Sequence, residues 1–287
     1  TQFMAYLYQT NQYELADWIK GNVKFPSCMV DRITPRSTLQ LMEEVESKFG
    51  GYGNTAIQTE EYTQWVIEDK FASDFPDLTQ VGAIVTQDLE PYEETKIRIL
   101  NGGHTSMAYL GVLSGYKTFD QVMNDEKHRK HFRQLQNEEI IPSIDIELPF
   151  DIHEYVDKVE ERFSNSTNVD DLERICMDGF TKFHTFVVPS LRKCLDEGKR
   201  PMHIYKSIAA WYIYAKRFSR GCTKIRYNEP NWVLLEPLLA EGNMDAFVSN
   251  ERLWGDIPKT YITFSRDLKS ILMSQTYEQE IDLLTDC

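Results

Sequence analysis

Residues 91–115 read PYEETKIRILNGGHTSMAYLGVLSG, and the reading of this stretch decides the architecture. It opens with Pro91 and acidic residues, as helix N-termini do. Ile97, Leu100, Met107, Leu110 and Leu113 then recur at helical spacing. In the middle sit Asn101, Gly102, Gly103 and His104, poor choices for a helix interior. Two glycines there cost roughly 1 kcal/mol each relative to alanine. A helix that accepts that cost implies close approach by a ligand or by another backbone.

Downstream of residue 91 the helical period dominates. Asp151 and Glu154 form a capping box ahead of Ile152, Tyr155, Val156, Val159 and Phe163. Pro201 occupies a first-turn position before Ile204, Ile208, Trp211, Tyr212 and Ala215. Tyr261, Phe264, Leu268, Ile271 and Leu272 repeat the pattern near the C-terminus. Upstream, the chain is mixed. Helical spacing through Phe3, Met4, Leu7 and Tyr8 and again through Leu15, Trp18 and Ile19 gives way to an extended segment over 23–33. A polar helix over 37–49 follows, then short strands at Tyr62–Glu68 and Val81–Val85. The expected fold is therefore mainly α. A helical domain over 81–287 is preceded by a smaller mixed α/β segment over 1–80.

The chain has 287 residues and a formal net charge of −14, with 41% hydrophobic and 26% charged residues. That balance argues for a soluble globular protein and against nucleic acid or an anionic membrane as partner. Five scattered cysteines, none in a C-x-x-C pair, point to a reducing compartment, the cytoplasm, and to no zinc knuckle. The sequence starts inside a helical pattern without an initiator Met, which reads as the C-terminal part of something longer.

If residues 96–104 form an ordinary α-helix, Lys96, Asn101 and His104 project at about 0°, 140° and 80°, within half the circumference. A lysine, an amide and an imidazole converging on one pocket supply an acid or base, a fixed donor and an orienting group. A lysine that works as a base near neutral pH needs burial or positive neighbours to weaken its hold on the proton.

Lys96-x4-Asn101-x2-His104 within KIRILNGGHTSMAYLG closely resembles the signature of the long-chain mannitol dehydrogenase family of polyol and uronate oxidoreductases. Other stretches are similar in the same order: FPSCMVDRITP over 25–35, YTQWVIEDKF over 62–71, ERFSN, ERICMDGFTKF and VVPSLR. The resemblance implies a secondary alcohol dehydrogenase that uses NAD or NADP and no metal. In it Lys96 is the general acid/base, Asn101 polarises the substrate oxygen and His104 positions the sugar. It also implies Asp31, Arg174 and Lys182 around the substrate, and Val30 and Asp31 beside the cofactor. The helical part is expected to look like the C-terminal domain of 6-phosphogluconate dehydrogenase. The implied partner is a small polyol or ketose, mannitol and fructose first, with an aldonate and ketouronate pair as the alternative.

Two departures follow from the comparison with the family pattern. Its glycine-rich phosphate turn is absent from this sequence, so the chain alone is expected to be inactive. Around Lys182 the residues Phe180, Phe183 and His184 are bulkier than the family pattern, which implies a reshaped pocket. A non-catalytic helical module is the rival reading.

Two motifs read as decoys. Gly51-Tyr52-Gly53-Asn54-Thr55-Ala56 fits the dinucleotide spacing G-x-G-x-x-A but follows a polar helical stretch, so it is expected to be a surface loop. His128 and His131 have metal-ligand spacing, yet they sit in NDEKHRKH and are expected on a solvated helix face.

Overall fold

The computed structural model describes residues 2–223 and 225–283, with side chains described as far as residue 274. The chain forms two compact units, one of residues 1–32 and 61–93, the other of 33–60 and 94–287. It therefore passes between these units three times. The reason lies in what anchors residues 33–60 to the helical unit. Ile33 packs on the main core, its carbonyl accepts from Asn168, and the Gln58 amide donates 2.7 Å to the Thr167 carbonyl. Glu60, buried, pairs with buried Arg162.

The first unit contains every strand found among the described residues. Strands β1 (Cys28–Asp31), β2 (Gln64–Glu68) and β3 (Ile84–Thr86) lie in the order β1-β2-β3. β1 and β2 are antiparallel, with Val30 opposite Trp65, and β2 and β3 are parallel, with Val66 opposite Ile84. Met29, Val66 and Leu89 form its small core, flanked by Ile84 and Tyr92. The third strand starts later than the sequence implies, because Leu78–Val81 is a 3-10 turn closed by Gly82 in the left-handed region. Helices Gln2–Gln9 and Tyr13–Asn22 pack through Leu7, Ala16 and Ile19.

The second unit is helical. Its central helix, Met202–Ser219, buries residues all round between His203 and Ala215, which is why it is apolar on every face there rather than striped. Gly103–Leu113 and Ile262–Leu283 pack against it. Pro201 precedes this helix at its cap rather than lying in its first turn. Asp151 caps Ile152–Phe163, accepting from the backbone N–H groups of His153 and Glu154. No helix among the described residues is long and apolar enough to cross a membrane.

The stretch over 91–115 differs from a plain α-helix. Glu90–Thr95 is α-helical, Lys96–Gly102 is a π-helical turn, and Gly103–Leu113 resumes the α geometry. The angles expected for an α-helix are thus corrected. A turn closed by i→i+5 bonds aligns residues five apart, so Asn101 comes round towards the register of Lys96 instead of standing about 140° away. Two further π turns, Leu135–Ile140 and Phe183–Val187, occur among the described residues, and both pack on the first.

A candidate proton-transfer site on a widened helix

The double glycine is explained by contacts from the protein itself. A Cβ on Gly102 would lie 3.0 Å from the Phe186 carbonyl oxygen, and one on Gly103 would lie 2.6 Å from the Gln136 amide nitrogen. Glycine here lets the Phe183–Val187 turn and a buried amide reach the widened helix from two directions. The element is further fixed by Arg98, which bridges Glu94 at 2.9 Å and Ser190 at 3.0 Å. Lys96, Asn101 and His104 are all half-buried on this continuous element.

His104 has the most distinctive surroundings. Its ring meets Phe119 edge-on at 4.2 Å and stacks on Phe163 at 4.9 Å. Burial in this aromatic slot pushes its pKa well below the ordinary histidine value, and the charges of Arg174, Lys182 and Arg162 push it further down. His104 is therefore a neutral imidazole at neutral pH, with one nitrogen donating and the other accepting.

Those three cations are held in place by the local fold. Phe119 N–H donates 2.9 Å to the Asp170 carbonyl, and Thr118 pairs with Asp171, which ties the Arg174 segment beside His104. Arg174 grips the buried Asp170 carboxylate through Nε at 2.6 Å and through a second nitrogen. Arg162 holds Glu60 through Nε at 3.0 Å and a terminal nitrogen at 2.7 Å. Lys182 donates 2.8 Å to the Ile175 carbonyl, and burial lowers its pKa.

Beneath Lys182, Asp178 takes a left-handed conformation with φ 54°. Gly179 fits against the Tyr109 hydroxyl and the Trp211 indole, where a Cβ would come within 2.4 and 2.5 Å. The Glu229 carboxylate accepts 3.0 Å from Phe180 N–H and 2.9 Å from the Tyr227 hydroxyl, locking this corner.

Arg174 and Lys182 lie close enough to His104 for their charges to act on its ring. Arg162 was missed, although its position carried a signal. On the helix it follows Tyr155 and Val159 at the spacing of the buried stripe, where an apolar residue is the norm. Val30, exposed, and Asp31, buried, stand on β1 in the other unit. Phe180, Phe183 and His184 are all engaged by the protein's own core and backbone. Phe183 is fully buried and stacks on Trp211 at 4.7 Å, and Phe180 is buried in the same core. His184 bonds the Leu253 carbonyl at 3.0 Å.

The loop with dinucleotide-like spacing is closed by its own helix. Glu46 Oε1 accepts 2.8 Å from Gly51 N–H and Oε2 accepts 2.9 Å from Gly53 N–H, so a carboxylate fills the place a phosphate would need. The histidines of the charged helix are not solvated either, which corrects that expectation. His128 lies between Asp125 (2.8 Å) and the Ser114 hydroxyl (3.1 Å). His131 Nδ1 faces His203 Nδ1 at 3.3 Å. Among the described residues no group of three or more His, Cys, Asp or Glu side chains is arranged to hold a metal ion.

His131 carries a pH prediction. Burial, then the charges of His203, Lys206 and His128, lower its pKa to about 3, while His203 in turn faces Glu138. The unfolded chain takes up this proton first, so stability is lost as pH falls below about 6.5 and on through about 3. About 2 kcal/mol is expected to disappear between pH 6.5 and 5. Urea titrations at both pH values measure it, and His131→Gln should flatten the difference. An unchanged pH slope in that variant contradicts the assignment.

Comparison with known proteins shows which family the chain belongs to. Residues 88–271 match the family model of the mannitol dehydrogenase C-terminal domain, and residues 1–80 match that of the mannitol dehydrogenase Rossmann domain. The chain belongs to the mannitol dehydrogenase family. It is 32% identical to a mannitol 2-dehydrogenase of Phaeosphaeria nodorum, covering 94% of this chain and 48% of that one. It is 34% identical to the D-mannonate oxidoreductase of Escherichia coli, covering 82% of this chain and 47% of that one. The solved Pseudomonas fluorescens mannitol 2-dehydrogenase, a ternary complex with NAD and D-mannitol, superposes with a TM-score of 0.81 at 31% identity. That likeness covers 91% of this chain and 54% of the other. The chain spans about half the length of the mannitol dehydrogenase relatives it matches.

Proposed function

We propose that this chain is the substrate-binding and proton-transfer half of a polyol dehydrogenase that interconverts a sugar alcohol and a ketose with NAD or NADP, mannitol and fructose first. The observation that carries the reading is the neutral His104, held between two phenylalanine rings beside Lys182 and Arg174, on the same helix as Lys96 and Asn101. In the oxidation direction Lys96 takes the hydroxyl proton. Asn101 donates to the oxygen as it gains charge, and His104 fixes the neighbouring hydroxyl. In ketose reduction Lys96 returns the proton. The nicotinamide, when bound, accepts or supplies the hydride. In this reading Val30 and Asp31 face it, and no metal takes part.

The same surroundings favour a neutral polyol over an aldonate. Two of the three cations beside His104 already hold carboxylates, Arg174 with Asp170 and Arg162 with Glu60, which leaves Lys182, bonded to the Ile175 carbonyl, as the single charge there to meet a substrate carboxylate. Assayed as the complete enzyme with both cofactors, mannitol or arabinitol should exceed mannonate and altronate in kcat/KM by at least about tenfold. A preference for either aldonate overturns this part of the reading.

The amides of the G-x-G-x-x-A turn are taken by Glu46, which leaves that loop no place for the cofactor's phosphates. Calorimetry on residues 1–287 alone is expected to detect no NAD(H) binding. A dissociation constant of about 1 μM, or roughly −8 kcal/mol, would place the dinucleotide site within this chain.

A further inference from the structure

We propose that Gln136 is a positioning residue that holds the π turn at Lys96–Gly102 and, through it, the relative register of Lys96, Asn101 and His104. The inference rests on reading Lys96 as the proton-transfer group.

Three observations lead to it. The Gln136 side chain is completely buried, and its Nε2 donates 3.1 Å to the carbonyl of Ile99, inside the π turn. That carbonyl also accepts from the Gly103 N–H, so Gln136 adds a second donor to one backbone oxygen. Gln136 Oε1 is buried with no hydrogen-bond partner among the described residues. Burying an amide with one end unsatisfied is worse than burying a leucine or methionine of similar size. A position chosen for packing alone would hold one of those.

The helix is shaped to receive the amide. A Cβ at residue 103 would lie 2.6 Å from Gln136 Nε2 and 2.9 Å from the Phe132 ring, so Gly103 is the notch into which the side chain fits. The amide reaches a carbonyl that keeps its own Gly103 N–H bond, so Gln136 braces the C-terminal end of the widened turn from outside the helix rather than replacing a ladder bond. Without it, residues 96–102 can close to ordinary α bonds. That change removes one residue from the widened turn and rotates Asn101 and His104 by roughly 100° relative to Lys96. The proton acceptor and the polarising amide would then no longer meet at one substrate oxygen. Gln136 touches none of the reacting groups in this scheme and acts only through the helix.

The test uses two variants in the complete enzyme. Gln136→Met keeps the volume and removes the donor. It should fold, leave KM for the polyol within about threefold, and lower kcat by at least about tenfold, as misaligned reacting groups do. Its crystal structure should show i→i+4 bonds across 96–102. Gln136→Glu retains a donor only while protonated. Ketose reduction by this variant should approach the parent's kcat at acid pH and fall through an added ionisation as pH rises, a step the parent lacks. A role in packing alone would put that step in the thermal midpoint and leave the kcat profile of the folded enzyme parallel to the parent's.

A Gln136→Met enzyme with kcat within about twofold of the parent, or one that keeps the π turn, overturns the inference. Should that variant fail to fold, the Gln136→Glu profile decides, and a profile parallel to the parent's counts against it. Lys96→Ala separates the two levels. If that variant stays active, the catalytic reading fails. If it is inactive while Gln136→Met is fully active, only the role of Gln136 fails.

Discussion

Replacing Arg162 by methionine is expected to destabilise the helical unit by about 3–5 kcal/mol, the usual consequence of leaving one member of a buried ion pair alone. Both side chains are about 3% exposed, and the guanidinium meets both Glu60 oxygens, at 3.0 Å from Nε and 2.7 Å from a terminal nitrogen. Glu60 also accepts from the Ile33 N–H at 2.5 Å, so the pair ties residues 33–60 to the helix Ile152–Phe163. The loss is large because a carboxylate stripped of its partner cannot reach water. At about 2 °C per kcal/mol for a unit of this size, the thermal midpoint should fall by about 6–10 °C.

Glu60→Gln combined with Arg162→Met should recover much of the loss, since no charge is then buried alone. Thermal unfolding followed by circular dichroism measures all three proteins. A midpoint within about 2 °C of the parent in Arg162→Met would mean that the pair contributes little.

Much of the fold was legible because its signals are local. The stripes in Ile152–Phe163 and Met202–Ser219 follow from apolar spacing that neighbours only reinforce, although between His203 and Ala215 burial extends beyond the stripe. The start of β3 was displaced because turn chemistry at Leu78–Gly82 is short-range and competes with a β-branched run.

The candidate site was legible in its residues but not in its geometry. Nothing in KIRILNGG specifies a π turn. Gln136 and the Phe186 carbonyl reach it from segments 37 and 84 positions beyond Ile99 and Gly102, and only the double glycine hinted at such visitors. Arg162 escaped for the same reason, since its partner Glu60 lies 102 positions away. His131 and His128 were read from their own charged neighbours, whereas their rings also meet His203 and Ser114 from distant segments.

The central claim is that Lys96 moves the proton. It opens the π turn as a half-buried side chain, so truncation to alanine, a strong helix former, should leave the fold intact. General acid–base catalysis by a placed side chain contributes about 10²–10⁴-fold, and the loss should fall on kcat because the proton is in flight only in the transition state. On the proposed reading Asn101 and His104 still bind the sugar, so KM for the polyol should stay within about threefold. Added primary amines should restore part of the rate, since they supply the missing base without its positioning.

The decisive measurement is steady-state mannitol oxidation by the complete enzyme carrying Lys96→Ala, with its thermal midpoint recorded alongside. The account predicts a kcat at least about 10²-fold below the parent at an unchanged midpoint. A folded variant that keeps kcat within about threefold of the parent would contradict it.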